Sequence, residues 1–351
     1  MKKRKLIFIL YSFLILLFIE VLSYIFLTIK DDTTFPNYNF GKRTHYLDID
    51  EKFGAWHIPN SKYKHKRSCF NVEYNFNSIG ARDEEFQEYG KNRIFLLGDS
   101  SVEGYGLETV YNMDKLLEKS LNKNVLNFGT SGYFGTTQQR LLYEKYEGKY
   151  EHDTVVQVIT VANDFEDDDY EFGKNYAATK NRYRPYLIKD INDEYKLNYS
   201  GTKLSLEEVS SVNLKDILFN YTHFYHFLKY FKSLSVSKKR SDMIMISPNY
   251  YFDYKEHVLD IFKFNFLKIN EITKTKQRRY IIVLLPDFNH LNLNSNQTEF
   301  KLSQDLESFL SLNSIGFLDL IGKIQEGGHN IQKMYNTNDH IACDGHQNIF
   351  G

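Results

Sequence analysis

A doubly wound α/β sheet carried behind an N-terminal membrane helix is the architecture this 351-residue sequence predicts. Three observations support it. An apolar stretch opens the chain, short unbroken apolar runs recur from Arg93 onward, and segments with helical spacing lie between those runs. Composition narrows the function. The 44 Lys and Arg nearly balance 45 Asp and Glu, so the chain lacks the basic surplus a nucleic-acid binder uses to neutralise phosphates. With 42% hydrophobic and 25% charged residues it is globular rather than disordered. Five Pro and two Cys exclude a proline-rich or disulfide-dense scaffold. The 27 Tyr and 28 Phe, beside abundant Asn, Lys and Ile, read as compositional drift and not as an aromatic binding surface.

The first element is the apolar stretch. Residues 1–5 are a basic tail, and Leu6 to Ile29 follows with Glu20 as its one charge. As a helix it is about 36 Å long, enough for a hydrocarbon core of about 30 Å. The preceding Lys2, Lys3, Arg4 and Lys5, against Asp31 and Asp32 behind, place the N-terminus in the cytoplasm and the rest of the chain across the membrane. A cleaved signal peptide is the rival reading; the stretch exceeds the usual signal length, and no small-x-small site follows it. Glu20 is read as tolerated, or as the mark of a helix contact.

Residues 30–90 form a polar, aromatic juxtamembrane region without a long helical period, and Lys62 to Arg67 in it reads as a solvated strand or loop face. The pattern changes at Arg93. Runs at Arg93–Leu97, Asn124–Asn127, Thr154–Val161, Tyr280–Leu285 and Gly316–Leu320 have no alternation, as expected of parallel strands buried on both faces. Helical stripes fall at Met113, Leu116, Leu117 and Leu121; at Val258, Ile261, Phe262, Phe266, Ile269 and Ile272; and at Leu302, Leu306, Phe309 and Leu310. An insertion at about 170–250 interrupts the alternation. It holds a hairpin from Pro185–Lys189 and Tyr195–Tyr199, then an aromatic-rich helix over Asn220–Phe231.

Ligands of such sheets sit at the carboxyl ends of the strands. Three strands here end in residues suited to acyl transfer: Gly98-Asp99-Ser100-Ser101, Asn127-Phe128-Gly129-Thr130-Ser131-Gly132-Tyr133 and Ala162-Asn163-Asp164. Near the end of the chain, Asp344-Gly345-His346 adds a carboxylate and an imidazole. Each alone is a common turn or cap; their order along the chain gives them weight.

In these four blocks the sequence resembles the SGNH (GDSL-type) hydrolase superfamily, over roughly residues 75–351. Gly98-Asp99-Ser100 is similar to its first block, with Gly104 and Gly106 following. Gly132 stands at the named glycine of the second block and Asn163 at the asparagine of the third. Asp344-Gly345-His346 is similar to the fourth, with one residue fewer between Asp and His than is typical. Asn77 to Asp83 is similar to a lead-in strand of membrane-anchored bacterial members. The family usually continues into a closing helix, whereas this chain stops at Gly351, five residues past His346. The resemblance implies a flavodoxin-like sheet over residues 91–351 and a Ser-His-Asp mechanism. Ser100 is then the nucleophile, His346 its base and Asp344 the orienting carboxylate. The N–H groups of Ser100 and Gly132 and the Asn163 amide form the oxyanion hole. It implies no cofactor and no metal. Position 102 is Val, so Ser100 is not in a Gly-x-Ser-x-Gly elbow, which disfavours the α/β-hydrolase fold.

Plainer readings hold elsewhere. Asp99 holds the turn. Asp164 and Glu166 to Asp169 form a solvated loop and not a calcium site. His223 and His226 pack in a core or an interface, and His340 lacks the context of a catalytic base. Cys69 and Cys343 are buried free thiols, with a disulfide as the alternative. The leading functional expectation is an ester hydrolase or O-acyltransferase acting on O-acylated envelope or capsule polysaccharide outside the cytoplasm. A lipase or thioesterase at the membrane surface and a catalytically silent polysaccharide-binding protein are the alternatives.

Overall fold

The computed structural model describes residues 2–30, 33–243, 250–286 and 300–326. The runs beginning at Arg93 become five parallel strands: β5 (Arg93–Gly98), β6 (Asn124–Gly129), β7 (Thr154–Thr160), β10 (Arg279–Leu285) and β11 (Gly316–Asp319). Their spatial order is β11-β10-β7-β5-β6. Counted from the first strand of the sheet this is 2-1-3-4-5, the order of flavodoxin-like sheets, which reverses direction between β5 and β7.

Successive residues of each strand feed opposite faces, as a pleat requires. Phe95, Leu97, Leu126, Phe128, Val155 and Ile159 point into the larger core. There they meet α4 (Thr136–Tyr146), α10 (Glu256–Thr275) and α11 (Lys301–Leu312). Ile94, Leu96, Val125 and Val158 fill the other face with Met113 and Leu117 of α3 (Met113–Leu121) and Leu320 of α12 (Leu320–Glu326). Phe95 and Phe128 stack at 4.0 Å between centroids, each fully buried. Burial of each such ring contributes about 1.5–3 kcal/mol. The α10 and α11 stripes face the core as expected. The α3 stripe does so only at Met113 and Leu117, because Leu116 and Leu121 turn to the surface.

Before the sheet, residues 33–83 fold into two antiparallel hairpins, β1 (Tyr46–Asp50) with β2 (Gly54–His57) and β3 (Lys62–Lys66) with β4 (Asn71–Asn75). The basic run is a strand whose Lys62 and Lys64 are exposed while Tyr63 and His65 are buried. The segment Asn77 to Asp83 is a turn and not the expected lead-in strand. The Asn77 side chain accepts hydrogen bonds from the N–H groups of Ile79 and Ala81, which draws the backbone into a bend at Gly80. The insertion contains the expected hairpin, β8 (Arg184–Lys189) with β9 (Tyr195–Ser200). The single helix expected over Asn220–Phe231 is two, α8 (Leu214–Tyr221) and α9 (His223–Met243), broken at Thr222.

That break has a partner in α1 (Lys2–Ile29), a helix long and apolar enough to span a membrane. From Leu6 to Phe18 its apolar side chains stand exposed. Further along, Glu20 accepts hydrogen bonds from the N–H groups of His223 and Phe224, the first residues of α9. Phe26 packs against Phe227, Tyr230 and Phe231. Glu20 therefore marks a helix contact and is not merely tolerated: a carboxylate at a helix N-terminus satisfies donors that the helix itself leaves unpaired. His226 has its Nε2 against the Phe219 carbonyl and its Nδ1 against Thr34 Oγ1, so it serves packing.

Candidate functional site

Strand β5 ends at Gly98, and Asp99 caps the short α2 (Ser100–Glu103) by accepting from the Ser101 N–H at 2.9 Å. The same Asp99 oxygen accepts from Thr160 Oγ1 at 2.9 Å, so one carboxylate ties the end of β5 to the end of β7. Asp99 thus holds the turn, as its residue type suggests. Ser100 is half-buried at the start of α2.

The next loop is fitted against α2 by close backbone approach. A Cβ on Gly129 would lie 2.2 Å from the Glu103 nitrogen, so only glycine lets β6 end there. Beyond it, Thr130 N–H donates to the Gly98 carbonyl at 3.3 Å and Ser131 N–H to Glu103 Oε2 at 2.5 Å. Gly132 has φ +102°, a conformation that disfavours any side chain, and a Cβ there would reach 2.6 Å from the Tyr46 ring. Arg182 donates to the Gly132 carbonyl at 2.7 Å and is itself paired with Asp48. At the end of β7, Asn163 begins α5 (Asp164–Asp167) and its amide donates to Asp167 Oδ2 at 2.9 Å, which fixes the side-chain orientation.

Ser100, Gly132 and Asn163 therefore stand at the carboxyl ends of three adjacent strands, on either side of the point where strand order reverses. Asp344 and His346, the expected orienting carboxylate and base, lie outside the described residues, as does His340. A cleft lined by Phe86, Arg93, Lys115 and Asn124 lies at the opposite, amino-terminal end of β5 and β6, away from Ser100.

Two expectations are corrected. The acidic run is not a solvated loop: Asp164, Glu166, Asp167, Asp168 and Asp169 are all buried. Each has a structural partner. Asp168 accepts from the Thr136 and Thr137 N–H groups at the start of α4. Asp169 caps α6 (Tyr170–Asn175) and pairs with Lys255. Asp167 faces Arg184 at 3.8 Å, and Asp164 accepts from the Thr160 N–H at 2.9 Å. Burial raises the Asp167 carboxyl to about 7 despite Arg184, and raises Asp164 well above the usual carboxylate range with help from the Asp99 charge. The second correction is Cys69, expected as a free thiol; it is disulfide-bonded. The chain's other cysteine, Cys343, lies outside the described residues.

Glu103 went unnoticed in the sequence, although it sits one helical turn after Ser100. Burial would raise its carboxyl, and the facing His45 and His57 outweigh this and hold it well below the usual range. Nothing in the sequence flags His45 or His57, because their relation to Glu103 exists only across the fold.

The fold defines an α/β protein with a five-stranded parallel sheet, and Ser100, Gly132 and Asn163 follow the strand ends beside its order reversal. No family model matches the chain, and no curated protein matches it.

Proposed function

We propose that this protein is a membrane-anchored serine ester enzyme that works through an acyl-enzyme on Ser100. The observation that carries the reading is the convergence of Ser100, Gly132 and Asn163 at the β5–β7 strand reversal, bound together by the Asp99–Thr160 and Glu103–Ser131 contacts. Ser100 Oγ attacks the ester carbonyl while His346 takes its proton, and Asp344 orients the imidazole and stabilises its charged form. The Ser100 and Gly132 N–H groups and the Asn163 amide stabilise the negative oxygen of the tetrahedral intermediate. The proton on His346 then passes to the departing alcohol. Water or a sugar hydroxyl resolves the acyl-enzyme, giving hydrolysis or O-acyl transfer.

The disulfide at Cys69 supports an extracytoplasmic location. Cys69 and Tyr105 pack against the same buried cluster of the β3–β4 hairpin, and the Tyr105 N–H donates to the Ser100 carbonyl at 3.0 Å. The disulfide lies in the turn between β3 and β4. It suits an oxidising compartment, in keeping with α1 as an uncleaved anchor and the sheet outside the cytoplasm. O-acylated envelope or capsule polysaccharide is the substrate class this location favours.

The test is turnover. The full chain in detergent should hydrolyse p-nitrophenyl acetate, and Ser100→Ala should lower kcat by several orders of magnitude with an unchanged circular dichroism spectrum. Ser101→Ala should leave kcat near the parent value. A folded parent protein with no turnover on any activated ester would instead favour a silent polysaccharide-binding protein.

A further inference from the structure

Behind the Gly132 loop lies a buried cluster that the proposed ester chemistry does not use. His45 precedes β1, His57 ends β2 and Glu103 ends α2, and their side chains are 3%, 0% and 0% exposed. His45 Nε2 lies 3.0 Å and His57 Nε2 3.4 Å from the same Glu103 oxygen, Oε1. None of these three atoms has a hydrogen bond of acceptable geometry. The other Glu103 oxygen is engaged by the Ser131 N–H, so the carboxylate is held with Oε1 toward the two rings.

The His57 tautomer sharpens the point. Its Nδ1 is 2.8 Å from the Gly80 carbonyl, which can only accept, so Nδ1 carries the proton. In the neutral ring Nε2 then presents a lone pair to a carboxylate oxygen, inside a space closed to water. Two acceptors facing each other in the interior need a positive species between them, either a second proton or a cation. A cation held about 2.0–2.1 Å from each donor, at angles of about 90–110°, requires donor separations of about 2.9–3.4 Å. The two measured separations fall within that span, and all three atoms lie within 4.8 Å of one another. The Gly80 carbonyl behind Nδ1 is the outer contact that orients metal-binding imidazoles. Arg82, the positive side chain that acts on His45, is turned to the carbonyls of Glu103, Gly104 and Leu107 and lies over the Tyr74 ring.

We propose that His45 Nε2, His57 Nε2 and Glu103 Oε1 bind a divalent ion of the zinc class. Two imidazoles and one carboxylate select zinc over calcium or magnesium, which prefer all-oxygen sets. The ion clamps the β1–β2 hairpin to the nucleophile's helix and, through Glu103 and Ser131, steadies the loop that carries Gly132. The site stands independently of the ester reading, since its ligands are read from geometry alone.

The experiment uses the full-length chain, without a polyhistidine tag, in detergent. Zinc titration followed by dialysis and elemental analysis should give about one zinc per chain. Cobalt in its place should show the intense visible absorption of a low-coordinate site. Thermal stability should rise with free zinc, as for any ligand that binds only the folded state. Glu103→Gln keeps an acceptor for Ser131 and should weaken zinc at least tenfold, whereas the exposed His257→Ala should retain it. A folded parent protein that retains no zinc and leaves cobalt with the faint spectrum of the hexahydrated ion would overturn the proposal, as would full zinc retention by Glu103→Gln together with His57→Ala.

Discussion

The parallel sheet and the hairpin region at residues 33–83 each enclose a buried core but are closed by different chemistry. Around Phe95, Leu97 and Phe128 the sheet is sealed by hydrocarbon, and its neighbours follow from the strand period. Around His57, Tyr74 and Arg82 the hairpins are sealed by aromatic rings and polar groups that must each find a partner. Tyr74 Oη lies 2.9 Å from His65 Nδ1 and accepts from the Gly106 N–H at 2.7 Å, while the Arg82 guanidinium holds three carbonyls of the loop after Ser100. The sheet builds the platform. The hairpin region grips the loops on top of it, so it governs the shape of the site more than the stability of the core.

The largest expected effect lies on the sheet side. Phe128→Ala leaves a cavity against Phe95 and should cost about 3–5 kcal/mol, read by denaturant unfolding. Tyr74→Phe, which strands the Gly106 N–H, should cost about 1–3 kcal/mol and disturb ester turnover out of proportion to that loss. Equal losses of turnover per kcal/mol in the two variants would erase the contrast. Under the proposed oxyanion-hole role, in which the amide meets charge that develops only in the transition state, Asn163→Ala should lower kcat about 10²–10³-fold with KM nearly constant. A raised KM with unchanged kcat would make it a ground-state contact.

The smallest effect is a pH dependence at the junction of the two regions. Burial, then the charge of Asp83, raises the Asp114 carboxyl to about 7. A carboxyl raised in the folded state contributes stability that is full below its unfolded value of about 3.9 and is lost as pH rises through about 7. Asp114→Asn keeps an acceptor for Asn127 Nδ2, which donates at 2.6 Å, and removes that loss. Its Tm should exceed the parent's by a few degrees at pH 8, with the difference closing toward pH 5. A difference that grew toward acid would reverse the sign of this account.

The same contrast explains what the sequence discloses. Strands β5, β6, β7, β10 and β11 are legible as short unbroken apolar runs, and helices α10 and α11 because their apolar residues recur at the helical period. Helix α4 is not, because Thr136, Thr137, Gln138, Gln139 and Arg140 are buried polar residues whose partners, such as Asn265, Phe53 and Gln157, are remote in sequence. The acidic run looks solvated in the sequence for the same reason: its five carboxylates are buried against partners such as Thr136, Lys255 and Arg184 that lie elsewhere in the chain. In the site, Ser100, Gly132 and Asn163 are legible as turn residues after apolar runs. Glu103, His45 and His57 are not, since no local pattern relates a helix end to two hairpin positions.

The central claim, that Ser100 is an activated nucleophile, is tested most directly by covalent capture. The full-length protein in detergent, treated with an alkyl fluorophosphonate and mapped by peptide mass spectrometry, should carry one adduct, on Ser100, that is absent from Ser100→Ala and present on Ser101→Ala. No adduct on a folded protein, or an adduct on Ser101 or Ser131 in its place, would contradict the account.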